Sequence, residues 1–368
     1  MIVDVINQKG QHAMLYGERG VGKTSLANIL PAFLKNPTGT VLAPRINCDS
    51  TDTFDSVWRK IFEQIELTRK GHALGFEASA QTSIFNLAQS YGDIVFTPDS
   101  VRRALTILGE QALPIFIVDE FDRLSAEPRR AFADTIKTLS DHSVRATVIL
   151  VGVADSVEQL IEEHRSVERA LVQVRMPRMS SEEIERIVST GSEQLGMTIA
   201  ALATSRIAKL SQGLPHYAHL LGLYAARAAL DSQRLEITEA DVAVAVKRAI
   251  NGAQQSVRSA YDYAVRSPRK ENLFADVLLA CAMAETNELG FFAAQDVRGP
   301  IREITGKKYE IPSFAQHLNE FCDEKRGPIL SKDGTRRRFR YRFLNPLLQP
   351  FVIMRGLDEG RIAADALD

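Results

Sequence analysis

The stretch "YGERGVGKTS", residues 16–25, constrains the fold more than any other part of the chain. It matches the pattern G-x-x-x-x-G-K-[ST] and lies between a predicted strand, "HAMLYG", and a predicted helix, "KTSLANILPAFL". In this context the glycines let successive backbone N–H groups face one point, at a helix N-terminus whose dipole favours anions. The stretch therefore predicts a phosphate-binding loop in a strand–loop–helix unit.

Each residue of this loop receives a predicted role. Lys23 is expected to reach the β- and γ-phosphates of a nucleotide, and the Thr24 hydroxyl is expected to ligate Mg²⁺. The residues predicted to contact the nucleotide are Gly17, Glu18, Arg19, Gly20, Val21, Gly22, Lys23, Thr24 and Ser25.

Around this loop, the first part of the chain alternates short apolar runs with amphipathic stretches. This alternation is typical of a parallel sheet covered by helices, so the predicted fold class is α/β with a P-loop NTPase sheet. A weakly patterned insertion between Thr68 and Pro98 is expected to be a loop. The predicted strands are "HAMLYG", "GTVLAPRINC", "PIFIVDE", "RATVILVG" and "ALVQVRM".

Two adjacent carboxylates, Asp119 and Glu120, end the buried strand "PIFIVDE". Neighbouring carboxylates at a strand end need a cation or a water to offset their charge. Asp119 is predicted to hold the Mg²⁺ shell, and Glu120 is predicted to polarise the attacking water. A solvated strand end without chemistry remains the alternative for both.

The class of nucleotide follows from the motifs that the sequence lacks. The sequence has no Asn-Lys-x-Asp element of the kind that reads guanine, and no motif for a second phosphate-accepting substrate. ATP with Mg²⁺ is therefore the expected cofactor. After the fourth strand, Asp155 is predicted either to touch the γ-phosphate or the water, or to cap the helix "SVEQLIEEH".

From "PRMSSEEIERIV" onward the apolar pattern has a helical period throughout. Ser180 or Ser181, and later Thr238 with Asp241 three residues on, are predicted helix caps. Three more helices and a basic hairpin, "GPILSKDGTRRRFRYRFLN", follow and predict a winged helix. The predicted domains are residues 1–178 for nucleotide binding, 179–265 for a helical lid, 266–356 for the winged helix and 357–368 for a tail.

The amino-acid composition limits the cellular locations and the binding partners that are expected for the protein. The 45 Lys and Arg residues nearly cancel the 46 Asp and Glu residues, so any nucleic-acid surface must come from local clustering. The three cysteines, Cys48, Cys281 and Cys322, are odd in number and far apart, which disfavours both a disulfide framework and a zinc site. With no signal pattern and no bilayer-length apolar run, a soluble cytoplasmic protein without a membrane partner is expected.

A local basic cluster does exist in "RRRFRYR", residues 336–342. On a strand, Arg338, Arg340 and Arg342 would share one face and leave the interleaved aromatic residues on the other. Such a face suits contacts with DNA phosphates, so double-stranded DNA is a predicted partner. A solvated strand face is the alternative.

With the loop, the "VDE" strand end, the polar residue after strand four, a helical lid and a winged helix in this order, the chain resembles the AAA+ ATPases. More narrowly, it resembles the initiator type of origin recognition and the related archaeal and STAND-type ATPases. The resemblance implies that the loop is a Walker A motif, that Asp119 and Glu120 form Walker B, and that Asp155 takes the sensor-one position.

The same resemblance implies further site residues. In AAA+ rings an arginine just before the last sheet strand enters the neighbouring subunit's site, and Arg169 or Arg165 matches that position, Arg169 lying closer to the strand. This implies a homo-oligomer in the ATP-bound state. The lid stretch "SQGLPHYAHLL" departs from ATP-remodelling enzymes, which usually show an arginine there; its Gly-x-Pro pattern resembles STAND-type switches and makes His216 a candidate nucleotide contact.

These features lead to one leading hypothesis and two rivals. The leading hypothesis is a slow ATP-hydrolysing switch that couples nucleotide state to oligomerisation and to DNA binding by the winged helix. One rival is a DNA-binding regulator whose nucleotide is mostly structural. The other is a STAND-like signalling or defence ATPase whose winged helix binds a protein partner instead of DNA.

Overall fold

The computed structural model describes residues 2–33, 40–70, 82–154, 167, 169–267, 272–287, 289–335 and 338–363. The chain divides into two compact units. One unit comprises residues 1–18 and 23–176, and the other comprises residues 19–22 and 177–368.

The first unit is built on a parallel sheet in the order β2-β6-β7-β1-β8. The strand β3 also pairs with β6, nearer the C-terminal end of β6 than β2 does. The predicted α/β fold class is confirmed. The run "GTVLAPRINC" forms two short strands, since Pro44 between them has no N–H for a ladder. The strands of this unit are β1 (His12–Gly17), β2 (Thr40–Leu42), β3 (Arg45–Asn47), β4 (Glu66–Lys70), β5 (Thr82–Asn86), β6 (Ala112–Asp119), β7 (Thr147–Val153) and β8 (Leu171–Arg175).

Helices cover both faces of this sheet, so each central strand contributes side chains to two cores. On β6, Phe116 packs into an aromatic core with Trp58 and Phe132, whereas Ile115 and Ile117 pack into the core on the other face. Burial on both faces explains why this strand reads as a continuous apolar run. The helices of this unit are α1 (Ile2–Ile6), α2 (Lys23–Phe33), α3 (Phe54–Glu63), α4 (Pro98–Gln111) and α5 (Ala126–Asp141).

The insertion between Thr68 and Pro98 differs from the loop that was expected. It begins within β4, and its described part contains β5, which pairs with β4 in antiparallel register, and a 3-10 turn at Leu87–Ser90. The paired segments "ELTRK" and "TSIFN" carry β-branched and aromatic residues that favour strands. Each segment is too short for an alternation of apolar and polar residues to be distinguished from the surrounding Gly- and Ser-containing sequence.

The second unit is mainly helical. No helix in the described ranges is both long enough and apolar enough to cross a lipid bilayer. Its helices are α6 (Ser181–Gln194), α7 (Ala201–Ser211), α8 (Pro215–Asp231), α9 (Glu239–Gly252), α10 (Gln255–Val265), α11 (Phe274–Met283), α12 (Arg298–Thr305), α13 (Ile311–Glu320) and α14 (Leu348–Asp358). Its strands are β9 (Thr198–Ile199), β10 (Glu236–Ile237), β11 (Phe292–Ala293), β12 (Leu330–Asp333) and β13 (Arg340–Phe343).

The helix starts in this unit follow the predicted caps. Ser180, the first of the two candidate serines, accepts from the Glu183 backbone N–H while the Glu183 carboxylate accepts from the Ser180 N–H. This reciprocal pair is a capping box, which satisfies two otherwise unpaired donors. Thr238 and Asp241 form the corresponding box at the start of α9.

The C-terminal part contains the predicted helices and hairpin. Helices α11, α12 and α13 alternate with an antiparallel sheet of order β11-β13-β12. Hydrogen bonds from the Tyr217 hydroxyl to the Leu347 carbonyl and from Arg178 to Gln349 join this part to the preceding helices within one compact unit. The predicted domain boundaries at 178, 265 and 356 stay predictions.

An ion pair between the partly exposed Arg234 and the buried Asp241 closes the loop between α8 and α9. The Arg234 guanidinium donates to both carboxylate oxygens of Asp241, at 2.9 and 2.6 Å, and the Thr238 N–H and hydroxyl donate to the same group. The Asp241 side chain is 4% exposed. The Arg234 hydrogen bonds lower the pKa of Asp241 to about 2.

We predict that Asp241→Asn lowers the free energy of unfolding by about 2 kcal/mol at pH 7, because a charge-assisted pair and its cap are weakened together. A carboxyl whose folded pKa lies below its unfolded value stabilises the fold above the unfolded pKa, near 4. The difference from wild type should therefore be complete at neutral pH and should disappear as the pH falls toward 2. Urea unfolding at several pH values measures it.

The control is Asp231→Asn, since Asp231 pairs with Arg248 on the same two helices but is 66% exposed. An exposed pair contributes little to stability, so this variant should unfold like wild type. Equal unfolding curves for the two variants would contradict the role given to Asp241.

Candidate nucleotide-binding site

The loop between β1 and α2 has the backbone geometry that the glycine pattern predicts. Gly17, Gly20 and Gly22 have φ values of +152°, +90° and +96°, which L side chains rarely adopt. A Cβ atom on Gly17 would lie 2.4 Å from the carbonyl oxygen of Met176, so this position also requires close backbone approach. The loop leads directly into the N-terminus of α2 at Lys23, where backbone N–H groups and the helix dipole favour an anion.

Lys23 lies folded over this loop. Its ammonium group donates to the carbonyl oxygens of Gly17 at 3.0 Å and Glu18 at 2.7 Å. Burial lowers the pKa of Lys23 to about 8, and the nearby carboxylates of Asp122, Asp119 and Glu18 oppose that shift. An ammonium has three donors, so two hydrogen bonds hold the group in place and leave one N–H for a phosphate oxygen.

A hydrogen bond connects the first turn of α2 to the end of β6. The Thr24 hydroxyl donates to Oδ2 of Asp119 at 2.9 Å, and the Glu120 N–H donates to Oδ1 of the same carboxylate at 2.8 Å. The Asp119 side chain is 4% exposed. A hydroxyl and a carboxylate at this spacing are oxygen ligands of the kind Mg²⁺ prefers beside nucleotide phosphates, so the residues present fit the metal.

The sequence prediction did not include Arg45, which also contacts Asp119. Its guanidinium donates to Oδ2 of Asp119 at 2.7 Å and to the side-chain oxygens of Asn28 and Asn47. Arg45 lies on β3, at the edge of the sheet next to β6. No motif places an arginine there, because the contact depends on the pairing of β3 with β6.

Glu120 follows Asp119 in a left-handed backbone conformation, with φ +55°. A non-glycine residue in this region carries strain of order 1 kcal/mol, a feature common at functional sites. Its carboxylate is about half exposed and forms an ion pair with Arg123 at 2.9 Å. The carboxylate is therefore accessible to water, and its partner is an exposed side chain.

A second residue missing from the sequence prediction is Asp122, in the turn after Glu120. Its Oδ1 accepts a hydrogen bond at 2.8 Å from the backbone N–H of Val153, the last residue of β7. Asp122 thereby connects the segment after β6 to the neighbouring strand end. Together with the hydrogen bond from Thr24 to Asp119, this contact joins α2, the segment after β6 and the end of β7 at the carboxyl edge of the sheet.

The other predicted site residues are two that fall outside the described residues and two that are exposed. Asp155 and Arg165 fall outside the residues that the structure describes. Arg169 is exposed in the turn before β8, where its carbonyl oxygen accepts a hydrogen bond from Gln11. His216 is exposed at the second position of α8, in the compact unit that also contains loop residues 19–22.

The three predicted DNA-contacting arginines have different surroundings. Arg338 is exposed just before β13, and Arg340 is exposed on β13 opposite Asp333. Arg342 is half-buried, with its guanidinium 4.7 Å from the centre of the Phe291 ring. The aromatic neighbours on the strand, Tyr341 and Phe343, are buried, which matches the predicted alternation along β13.

Comparisons with known proteins add the following likenesses. The chain is similar to the ORC2 protein of Aeropyrum pernix in ADPNP–ADP complexes, with 16% identity, 97% of this chain and 86% of that chain covered, and a TM-score of 0.49. It is similar to Cdc6p of Pyrobaculum aerophilum (15% identity, 96% and 90% covered, TM-score 0.45). It is also similar to the Holliday junction branch migration motor RuvB of Thermotoga maritima (13% identity, 88% and 82% covered, TM-score 0.45).

No curated protein matches the sequence. The family model described as "AAA domain" matches residues 6–161. This range includes the loop after β1, the Lys23 and Thr24 side chains, and the acidic end of β6. The candidate site therefore lies within the part of the chain that is similar to AAA domains.

Proposed function

We propose that this protein binds ATP with Mg²⁺, hydrolyses it slowly, and uses its nucleotide state to control self-association and DNA binding. The observation that carries the proposal is the 2.9 Å hydrogen bond from Thr24 to Asp119. It sets a hydroxyl and a carboxylate beside a loop that already holds the Lys23 ammonium. Few functions other than nucleotide phosphate binding require this set of groups together.

The residues of the site divide the task of holding the phosphates. Loop N–H groups and the N-terminus of α2 bind phosphate oxygens, and the free N–H of Lys23 adds a charge-assisted donor. Thr24 and Asp119 hold Mg²⁺, which when bound neutralises charge on the β- and γ-phosphates. The protein residues contribute mainly position and electrostatic stabilisation, as in other phosphoryl transfers.

Hydrolysis also requires a group that orients water. Glu120 is the residue we assign to this role, since its carboxylate is accessible and its N–H is fixed to Asp119. To orient a water near the γ-phosphate, the carboxylate turns away from Arg123. We propose Arg169 as the arginine that completes a neighbouring copy's site, with Arg165 as the alternative, and Asp155 and His216 as further nucleotide contacts.

The C-terminal elements support a DNA-binding role. The order α11, β11, α12, α13, β12, β13, with its antiparallel sheet, is the order of a winged-helix domain. The β12–β13 hairpin would be its wing, and Arg338 and Arg340 are exposed there. Exposed arginines on a hairpin suit sequence-independent contacts to phosphates. If DNA does not bind, the alternative is a signalling or defence ATPase whose winged helix binds protein.

We predict that Glu120→Gln keeps ATP affinity within about threefold of wild type and lowers the turnover by about a hundredfold or more, because it removes a general base and no phosphate ligand. Lys23→Ala should lose measurable ATP binding. Isothermal titration measures the affinity, and release of inorganic phosphate measures the turnover.

A matched control is Glu110→Gln, which changes an exposed carboxylate at the end of α4 in the same unit. It should leave both quantities unchanged. Wild-type ATP affinity in Lys23→Ala would contradict the binding site, and unchanged turnover in Glu120→Gln would contradict only the role of Glu120.

For the wing, we predict that wild-type protein binds double-stranded DNA with little sequence preference and that Arg338→Ala combined with Arg340→Ala weakens this binding. Each phosphate contact that is lost should flatten the slope of log affinity against log salt by about 0.9, so the slope should change by about 2 units. Arg342 is left in place because it packs on Phe291. Fluorescence anisotropy at several salt concentrations, with and without ATP, measures both effects.

The control removes two positive charges from exposed lid positions, Arg227→Ala with Arg248→Ala, and should keep the wild-type slope. Absence of DNA binding by wild-type protein at low salt would favour the protein-binding alternative. An equal loss in both double variants would show a general charge effect and would overturn the wing assignment.

A further inference from the structure

Arg45 has a fixed backbone and a side chain that reaches the proposed metal carboxylate. The Gln64 side chain accepts from the Arg45 N–H at 3.2 Å and donates to the Arg45 carbonyl at 2.9 Å. The strand β3 to which Arg45 belongs also pairs with β6. The main chain of Arg45 is thus held at the sheet edge independently of what its side chain contacts.

The Arg45 guanidinium binds three acceptors from three elements. It donates to Asn28 on α2, to Asn47 on β3 and to Asp119 at the end of β6. Only the third acceptor is charged, and the N–O distance to it is 2.7 Å. The arginine therefore neutralises the carboxylate that Mg²⁺ would need.

The contact uses the same oxygen as Thr24. A carboxylate oxygen offers about two lone-pair directions. On Oδ2 of Asp119 one is used by the Thr24 hydroxyl and the other by Arg45, while Oδ1 accepts from the Glu120 N–H. With Arg45 in place, Oδ2 has no direction left for a cation or for a water beside one, and the one open direction of this carboxylate is on Oδ1, beside the Glu120 N–H.

The side chain also has a reason and a space to move. Its Nε–H is buried and has no hydrogen-bond acceptor among the residues that the structure describes, which costs free energy in the observed position. A cavity of about 760 Å³, lined among others by Asn28, Asn47 and Gln64, opens beside it. The guanidinium can turn into this space while Gln64 holds the main chain.

We propose that Arg45 is the resident counter-ion of Asp119 and that Mg²⁺-nucleotide displaces Arg45 from Oδ2 of this carboxylate. Arg45 thereby sets the Mg²⁺ requirement for nucleotide binding. The proposal rests on the proposed function, that this site binds ATP with Mg²⁺. It assigns a role to a residue outside the phosphate loop and outside the acidic strand end.

The charges determine in which direction nucleotide affinity should change when Arg45 is removed. Without Mg²⁺, Arg45 shields the nucleotide phosphates from the Asp119 carboxylate, so its removal should weaken metal-free binding. With Mg²⁺, Arg45 competes for Asp119, so its removal should leave binding equal or tighter. Both effects raise the ratio of the dissociation constant in EDTA to the dissociation constant in Mg²⁺.

The test is a titration of a fluorescent N-methylanthraniloyl ATP into the full chain, in EDTA and at a series of Mg²⁺ concentrations. In Arg45→Gln we expect the ratio to rise at least about tenfold over wild type. The Mg²⁺ concentration for half-maximal binding should fall. Asn28→Ala, at an exposed helix position that tolerates alanine, removes one neutral partner of Arg45 and should shift the ratio in the same direction by about two- to threefold.

The matched control is Arg102→Gln. Arg102 also pairs with an aspartate, Asp99, and its side chain is 23% exposed, close to the 22% of Arg45. It should keep the wild-type ratio. Thermal unfolding of each variant checks that the fold is intact, and Asn28→Ala still tests the proposal if Arg45→Gln does not fold.

The outcomes separate this inference from the function beneath it. If wild-type protein does not bind the nucleotide even with Mg²⁺, the proposed function fails. If wild type binds in an Mg²⁺-dependent way and the ratio in Arg45→Gln stays within twofold of wild type, or falls, only the role of Arg45 is overturned.

Discussion

The hydrogen bond between Thr24 and Asp119 is the interaction on which the site depends. It joins the first turn of α2, the helix that follows β1, to the end of β6, although β7 lies between β1 and β6 in the sheet. The parallel register across the three strands pairs Leu15 with Val151 and Val118 with Leu150, so the ends of β1 and β6 lie at the same edge of the sheet. Because parallel strands bring their carboxyl ends to one edge, a ligand site at this edge is the common result in such folds.

The parts of the site that the sequence predicted are those encoded locally. The conformation of the loop glycines and the acidic end of β6 each follow from a few neighbouring residues, as does the Ser180 cap outside the site. Arg45 and Asp122 were missed because their contacts depend on strand pairing across a long sequence separation. The burial of β6 on both faces was predictable because its sequence is a continuous apolar run. The β4 and β5 strands are too short to show a clear alternation of apolar and polar residues.

The β12–β13 hairpin shows a different limit of prediction. A run of arginines predicts a positive face only if no other side chain offsets its charge. In the structure Arg340 lies opposite Asp333 on the paired strand, and Arg342 lies over the Phe291 ring. The sequence pattern located the exposed and buried faces of β13, but the cross-strand neighbours decide how many arginines remain for a phosphate backbone.

Two ion pairs hold the acidic residues of the site, and they differ in burial. Glu120 pairs with Arg123 where both side chains are about half exposed, so water competes for each and the pair is easily broken. Asp119 is nearly buried under Arg45, where breaking the pair without a replacement cation leaves a buried charge unmatched. The strained backbone of Glu120 is fixed by its N–H bond to Asp119, so its carboxylate can reorient by side-chain rotation alone. Under the proposed function, the exchange of Arg45 for Mg²⁺ at Asp119 would therefore be the more demanding step in preparing this site for hydrolysis.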